Sequence, residues 1–197
     1  MAPYISDRQF TNYIHNNVAI QKIYAPLNWE QVNLDKAYAE QIDMQKGIDY
    51  VFKHKGEVKT VQERFRESKY SRYSDFTIRY RRDGNAHKDR RESEYYKMKA
   101  SYFTYGITNC LKTNVSGCTD FLKYAIIDLE KVYSKIDTGE IIIKDNKRNT
   151  CRVLDNSIIE CPVKFNKDGS SSFFPIEISF LIQLFGDDIV IAQKGFL

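Results

Sequence analysis

The sequence predicts an α/β chain, and three observations predict it. The chain has 197 residues, enough for one domain with a sizeable core. Apolar residues recur at helical spacing near the N-terminus and again close to the C-terminus, while the middle is dominated by strand-like alternation. Hydrophobic residues make up 42% and charged residues 28% of the chain, a balance that supports a packed core and argues against disorder. No internal repeat and no linker-like composition breaks the chain, so one domain over 1–197 is expected.

The elements follow in order. Ser6-Asp7-Arg8-Gln9 has the pattern of a capping box, and Phe10, Tyr13, Ile14 and Val18 follow at helical spacing until Pro26 interrupts. Asn33 is placed to cap a second helix whose stripe is Leu34, Ala37, Tyr38, Gln41 and Ile42. Residues 47–66 form a β-hairpin turning at Lys55-Gly56. A polar and basic loop over 67–74 leads to a strand over 75–81, with Asp75, Thr77, Arg79 and Arg81 on one face and Phe76, Ile78 and Tyr80 on the other. A charged loop over 82–92 precedes a short helix over 93–99 and a strand over 100–108 rich in Tyr, Phe and Thr. After a loop over 109–117 come a buried strand over 121–129, a helix over 128–136, a short strand over 140–143 and a strand over 158–165. A turn over 166–169 follows, and Pro175 opens a final helix over 176–185, closed by Gly186.

The hairpin is the most informative stretch. With Lys55 and Gly56 as the turn, His54 pairs with Glu57, Asp49 faces Gln62, and Arg64 lies one step along on the same face. Ile48, Tyr50 and Phe52 then share the other face with Val61 and Phe65. This register separates apolar from polar side chains better than a three-residue turn, which would put Asp49 opposite Val61. An ordinary cross-strand ion pair between Asp49 and Arg64 would use the same residues without any chemistry.

Asp49 followed by Gln62-Glu63-Arg64 resembles the PD-(D/E)xK, or restriction-endonuclease-like, nucleases. In that superfamily an Asp on one strand precedes an acid-x-Lys triplet on the next. Gln62 stands where the family has an acid and Arg64 where it has Lys. A literal acid-x-Lys triplet, Glu57-Val58-Lys59, is the runner-up; it lies near the turn and faces away from Asp49. The resemblance implies a central mixed β-sheet flanked by helices, Mg²⁺ or Mn²⁺ as cofactor, and phosphodiester hydrolysis. It assigns Asp49 as metal ligand, Gln62 as a carbonyl ligand or water holder, and the main-chain carbonyl of Glu63 as a third ligand. Arg64 becomes the cation on the reacting phosphate, because a guanidinium stays protonated and cannot serve as base. Glu40, on the preceding helix, is the candidate accessory acid, although such a residue is equally an ordinary solvent-facing side chain.

Charge is distributed unevenly. Residues 53–99 hold 15 Lys and Arg against 8 Asp and Glu, an excess of seven, while the rest of the chain holds 15 against 18. Aromatic residues interleave this basic segment, a combination suited to phosphates and bases, although a solvated charged surface has the same composition. Arg66, Arg72, Arg79, Arg81, Arg82, Lys88, Arg90 and Arg91 are the candidate DNA contacts. The phosphate-loop, dinucleotide-loop and nucleophile-elbow motifs are all absent. Four scattered cysteines and three histidines disfavour zinc and favour free thiols. With no apolar run of membrane-spanning length and no basic-then-apolar leader pattern, a cytoplasmic protein is expected. The combined expectation is a Mg²⁺-dependent DNA endonuclease of type II restriction or phage-encoded kind, acting as a homodimer; the alternative is a DNA-binding protein on the same scaffold that does not cleave.

Overall fold

The computed structural model describes residues 3–81, 93–145, 149–167 and 171–197. Helix α1 (Pro3–Ile14) starts three residues before the expected capping box; a proline in the first turn loses no helical hydrogen bond, so the helix accommodates it. It continues without a break into a ten-residue π-helix, His15–Tyr24, which ends where Asn28 takes a left-handed conformation after a short 3-10 turn. Strand β1 (Glu30–Gln31) precedes α2 (Lys36–Lys46). The cap of α2 is Asp35 rather than Asn33: its carboxylate accepts from the amides of Ala37 at 2.9 Å and Tyr38 at 3.2 Å, placing a negative charge at the positive end of the helix.

The hairpin pairs β2 (Tyr50–His54) with β3 (Glu57–Arg66) in the expected register, His54 opposite Glu57. Lys55 and Gly56 both have positive φ, 51° and 84°, as a two-residue turn matching the twist of the strands requires. The chain then forms β4 (Asp75–Arg81), α3 (Glu94–Lys97), β5 (Tyr102–Thr108), β6 (Phe121–Asp128) and α4 (Leu129–Asp137), the last capped by the Asp128 carboxylate. There follow β7 (Ile141–Lys144), β8 (Arg152–Leu154), β9 (Ile158–Pro162), β10 (Lys164–Phe165), β11 (Ser172–Glu177), α5 (Ile178–Phe185) and β12 (Val190–Lys194).

The chain is therefore mixed α/β around a six-stranded sheet of order β1-β2-β3-β5-β6-β12, flanked by helices. Within this sheet β3 and β5 run parallel and the other described neighbours antiparallel; the crossover between β3 and β5 carries β4 and α3. Strand β4 leaves the large sheet and joins β10-β11-β4, while β7-β9-β8 form a third sheet. The segment expected as one strand over 158–165 is divided between two sheets at Val163. Pro175 lies inside β11 opposite Thr77 rather than opening a helix. Strand β10 pairs only with Phe173 and Ser172, so Pro175 has no partner strand on its other side and its missing N–H breaks no ladder. Among the described residues no helix is long and apolar enough to cross a membrane.

Both faces of the large sheet are buried. Under α1 and the π-helix lie Phe10, Ile14, Ile23, Phe52, Val61, Phe65 and Phe121. On the other face Phe103, Tyr105, Ile107 and Ile127 pack against Phe76 and Ile78 of β4, Phe174 and Ile176 of β11, and the apolar sides of α4 and α5. Ile48 joins this second cluster, not the face of Tyr50 and Phe52; it lies before β2 begins, and its amide bonds Ile42 at the end of α2, so strand alternation does not extend to it.

Gly106 shows how tightly the first face is filled. A Cβ there would meet the Phe121 ring at 2.7 Å and the Phe65 ring at 3.1 Å, and those rings pack with centroids 5.1 Å apart. Gly106→Ala is expected to destabilise the chain by about 1–3 kcal/mol through overpacking, read as a lower urea midpoint at unchanged slope.

Candidate active site

Asp49 sits at the entrance of β2. Its amide bonds the Val61 carbonyl at 2.9 Å, which fixes it beside β3. Its Oδ2 accepts from Gln62 Nε2 and from the Glu63 main-chain amide, each at 2.7 Å. The side chain is only 7% exposed. The other oxygen faces Arg8 of α1, whose Nη1 is 3.5 Å from Asp49 Oδ1 and 2.7 Å from Oδ2 of Asp43. Two carboxylates thus converge on one guanidinium. Burial, with the negative charges of Asp43 and Glu63, outweighs the Glu63 amide and Arg8 and pushes the Asp49 carboxyl up to about 7.

Glu63 points through the opposite face of the sheet. Its carboxylate meets His15 Nδ1 at 2.9 and 3.0 Å and accepts from the Tyr24 hydroxyl at 2.5 Å, while the Thr104 hydroxyl, 2.9 Å away, donates to the Tyr24 oxygen. Both His15 and Glu63 side chains are wholly buried. The π-helix makes this meeting possible. Nine residues separate His15 from Tyr24; at 3.6 residues per turn they would lie on opposite sides of an α-helix, whereas the roughly 4.4 of an i→i+5 helix returns them to one side. The Tyr50 ring lies parallel on His15 with centroids 3.4 Å apart, and burial beside Glu63 holds the Tyr24 phenol well above its ordinary range.

Arg64 does not pair with Asp49. Its Nη2 lies 2.6 Å from Glu94 Oε1, its Nη1 donates to the Thr77 hydroxyl at 3.1 Å and to the Thr77 carbonyl, and its plane lies over Phe103. Five charges are therefore tied in two separate groups, Arg8 with Asp43 and Asp49, and Arg64 with Glu94.

These residues line one end of an open cleft of about 1230 Å³, bounded by α1, β3, β4 and β11. Arg66 and Arg79 line it as well, as do Lys97 and Lys112, which sequence reasoning did not single out. Arg72 is exposed beside it and donates to the Tyr73 hydroxyl at 2.9 Å. Arg81 does not line the cleft; its guanidinium lies over Tyr80 and 3.9 Å from Asp145. Arg82, Lys88, Arg90 and Arg91 lie outside the described residues.

The helix acid that reaches the site is Asp43, not Glu40, which is exposed and away from the cleft. Asp43 is three residues further along α2, nearer the end that Gly47 turns into the hairpin, so geometry favours it. Glu57 and Lys59 pair with each other at 2.6 Å near the hairpin tip, with Lys59 over Tyr102, and do not approach Asp49. Arg8 was missed because nothing in its own helix distinguishes it from a solvent-facing cation.

Among the described residues no group of three or more His, Cys, Asp or Glu is arranged around a common point. What the site does offer, once the Gln62 amide turns its oxygen rather than its Nε2 toward Asp49, is an all-oxygen set: the Asp43 and Asp49 carboxylates, the Gln62 amide oxygen and the Glu63 carbonyl. Such oxygens suit Mg²⁺ or Mn²⁺, and the position between the carboxylates already attracts a cation, Arg8. The residues fit a divalent ion if Arg8 moves aside. No family model matches the chain, and neither the curated proteins nor the solved structures contain a match.

The raised carboxyl has a thermodynamic consequence. Asp49 titrates near 7 when folded and near 4 when unfolded, so between those values the folded state binds the extra proton and stability falls as pH rises. In EDTA, Asp49→Asn is expected to remove that contribution. Its stability relative to the parent should increase from pH 4 to pH 8 by roughly 3–4 kcal/mol, measured by urea unfolding across the range; an unchanging difference would show that Asp49 titrates normally.

Proposed function

We propose that the chain is a divalent-cation-dependent DNA endonuclease with a restriction-endonuclease-like core. The observation that carries this reading is the convergence of Asp49 and Asp43 on one cationic position at the end of a long, arginine-lined cleft. The volume, about 1230 Å³, exceeds the roughly 300–1,000 Å³ of small-molecule pockets and suits a polymer.

In this reading Asp49 and Asp43 hold Mg²⁺ or Mn²⁺, with the Gln62 amide oxygen and the Glu63 carbonyl completing the protein ligands. The ion supplies charge neutralisation on the phosphoryl oxygens and a water acidic enough to lose its proton near neutral pH. Glu63 keeps Asp49 in place through its main-chain amide, 2.7 Å away, so the ligand is held before DNA arrives. Arg8 would have to leave the acids for an ion to lie between them, and from α1 it would then face the cleft, where a phosphate can take it. Arg64, anchored by Glu94 and Thr77, offers fixed positive charge along the strand rather than proton transfer.

A second reading is a DNA-binding protein that does not cleave. The position of Arg8 favours it, since a guanidinium already neutralises both carboxylates.

Incubation of plasmid DNA with Mg²⁺, Mn²⁺ or EDTA separates the two. For the nuclease, metal-dependent products are expected, Asp49→Ala is expected to lower cleavage at least about 100-fold, and DNA binding in EDTA should persist. No metal-dependent product, with salt-sensitive gel shifts, would establish the binding protein.

A further inference from the structure

Strand β3 runs along the floor of the cleft with Gln62, Arg64 and Arg66 on one face, successive members about 6.6 Å apart by strand geometry. Asp49 and Asp43 lie at the Gln62 end. Beyond Arg66 the lining changes character. Tyr70 and Tyr73 contribute rings to the cleft wall there, whereas Phe173 and Phe165 line it from the Arg79 end of the β4–β11 ladder. Tyr73 is 40% exposed, which places its ring open to an approaching ligand.

These rings are set among cations. The Arg66 guanidinium is 5.3 Å and the Lys69 ammonium 5.2 Å from the Tyr70 centroid, Arg72 is 4.9 Å from that of Tyr73, and the two tyrosines are 6.1 Å apart. Arg66 Nε is buried with no hydrogen-bond partner among the described residues. Two acids face each other at the same end, Asp75 of β4 directly opposite Glu177 of β11. Carboxylates repel a phosphate backbone, yet they accept hydrogen bonds from the exocyclic amino groups of bases. Rings, cations and acids together match the face, the phosphate and the edge of a nucleotide.

We propose that this end of the cleft stacks unpaired bases, so that the substrate is single-stranded DNA or the single-stranded branch of a larger DNA. The inference rests on the nuclease reading for the identity of the polymer and adds which form of it enters. In a duplex the base faces are covered by their neighbours, so the tyrosine rings gain nothing from it. An unpaired base offers its π-face, and stacking tolerates any sequence. Arg66 then takes the phosphate between the stacked bases and the acidic end, about 13 Å along β3 from Gln62.

The test is equilibrium binding in EDTA, where nothing is cleaved, of a fluorescent single strand of about 15 nucleotides and of the blunt duplex of the same sequence. The parent chain is compared with a Tyr70→Leu, Tyr73→Leu variant and with a Tyr70→Phe, Tyr73→Phe variant, each checked for unchanged thermal unfolding. The expected result is that the single strand binds at least about tenfold more tightly than the duplex, that the leucine variant loses about tenfold or more on the single strand alone, and that the phenylalanine variant retains binding. Should the double leucine variant fold poorly, Tyr73→Leu alone carries the test, because its ring is exposed. Equal or tighter duplex binding, or single-strand binding indifferent to the leucines, would overturn the inference and leave the nuclease reading standing. Failure to bind either form would overturn both.

Discussion

The structure depends on Glu63. Its carboxylate, wholly buried on the helical side of the sheet, is held by His15 and Tyr24, and its main-chain amide holds Asp49 on the cleft side. One residue therefore connects the packing of the N-terminal helices to the placement of the candidate catalytic acid. A buried carboxylate without partners would cost several kcal/mol, so the fold must supply them. The π-helix does so by carrying His15 and Tyr24 to one side, and Tyr50 covers the imidazole from the hairpin. Loss of this contact would leave an unpaired charge in the core and would loosen Asp49 at the same time.

The cleft exists because β4 departs from the large sheet. A strand that stayed in the plane of the sheet could not lie over its face. Instead β4 pairs with β11, and Phe76, Ile78, Phe174 and Ile176 pack back onto Phe103 and Tyr105. The two layers join at their buried centre and separate toward β3, where alternate residues face the opening. Arg64 spans the gap, since it starts on β3 and ends on Thr77 of β4 and Glu94 of α3. It therefore supports the wall of the cleft as well as charging it, which a lysine without a planar fork could not do at two partners in the same geometry.

Much of this was legible in the chain. The hairpin register follows from residue types alone, because only a Lys55-Gly56 turn keeps Phe52, Val61 and Phe65 together, and the Asp49–Gln62 contact is its direct result. Strand β4 and the cap of α4 by Asp128 are likewise local properties. What was hidden depends on distant partners. Asp43 and Glu40 differ by less than a turn of the same helix, and only the packing of Ile42 against the sheet decides which one faces inward. Arg8 reaches the site from 41 residues away. Pro175 resembles a helix start until the extent of β10 is known, and the side to which Glu63 points is obvious only once His15 and Tyr24 lie beneath it. The π-helix conceals that, because a helical reading at 3.6 residues per turn separates the two.

The presence of glutamine at position 62 follows from the same arrangement. Asp49 already feels Asp43 and Glu63, and a single cation, Arg8, faces the first two. A further carboxylate directly across the strands from Asp49 would set like charges side by side in a buried setting, where neither water nor a second cation offsets them. An amide removes that repulsion, and its Nε2 donates to Asp49 at 2.7 Å, turning the cross-strand contact from repulsive to attractive. A second carboxylate reaches Arg8 all the same, from Asp43 on α2, a neighbouring element that no strand motif includes. The site has to be judged by its total charge and geometry rather than by the letters of the hairpin.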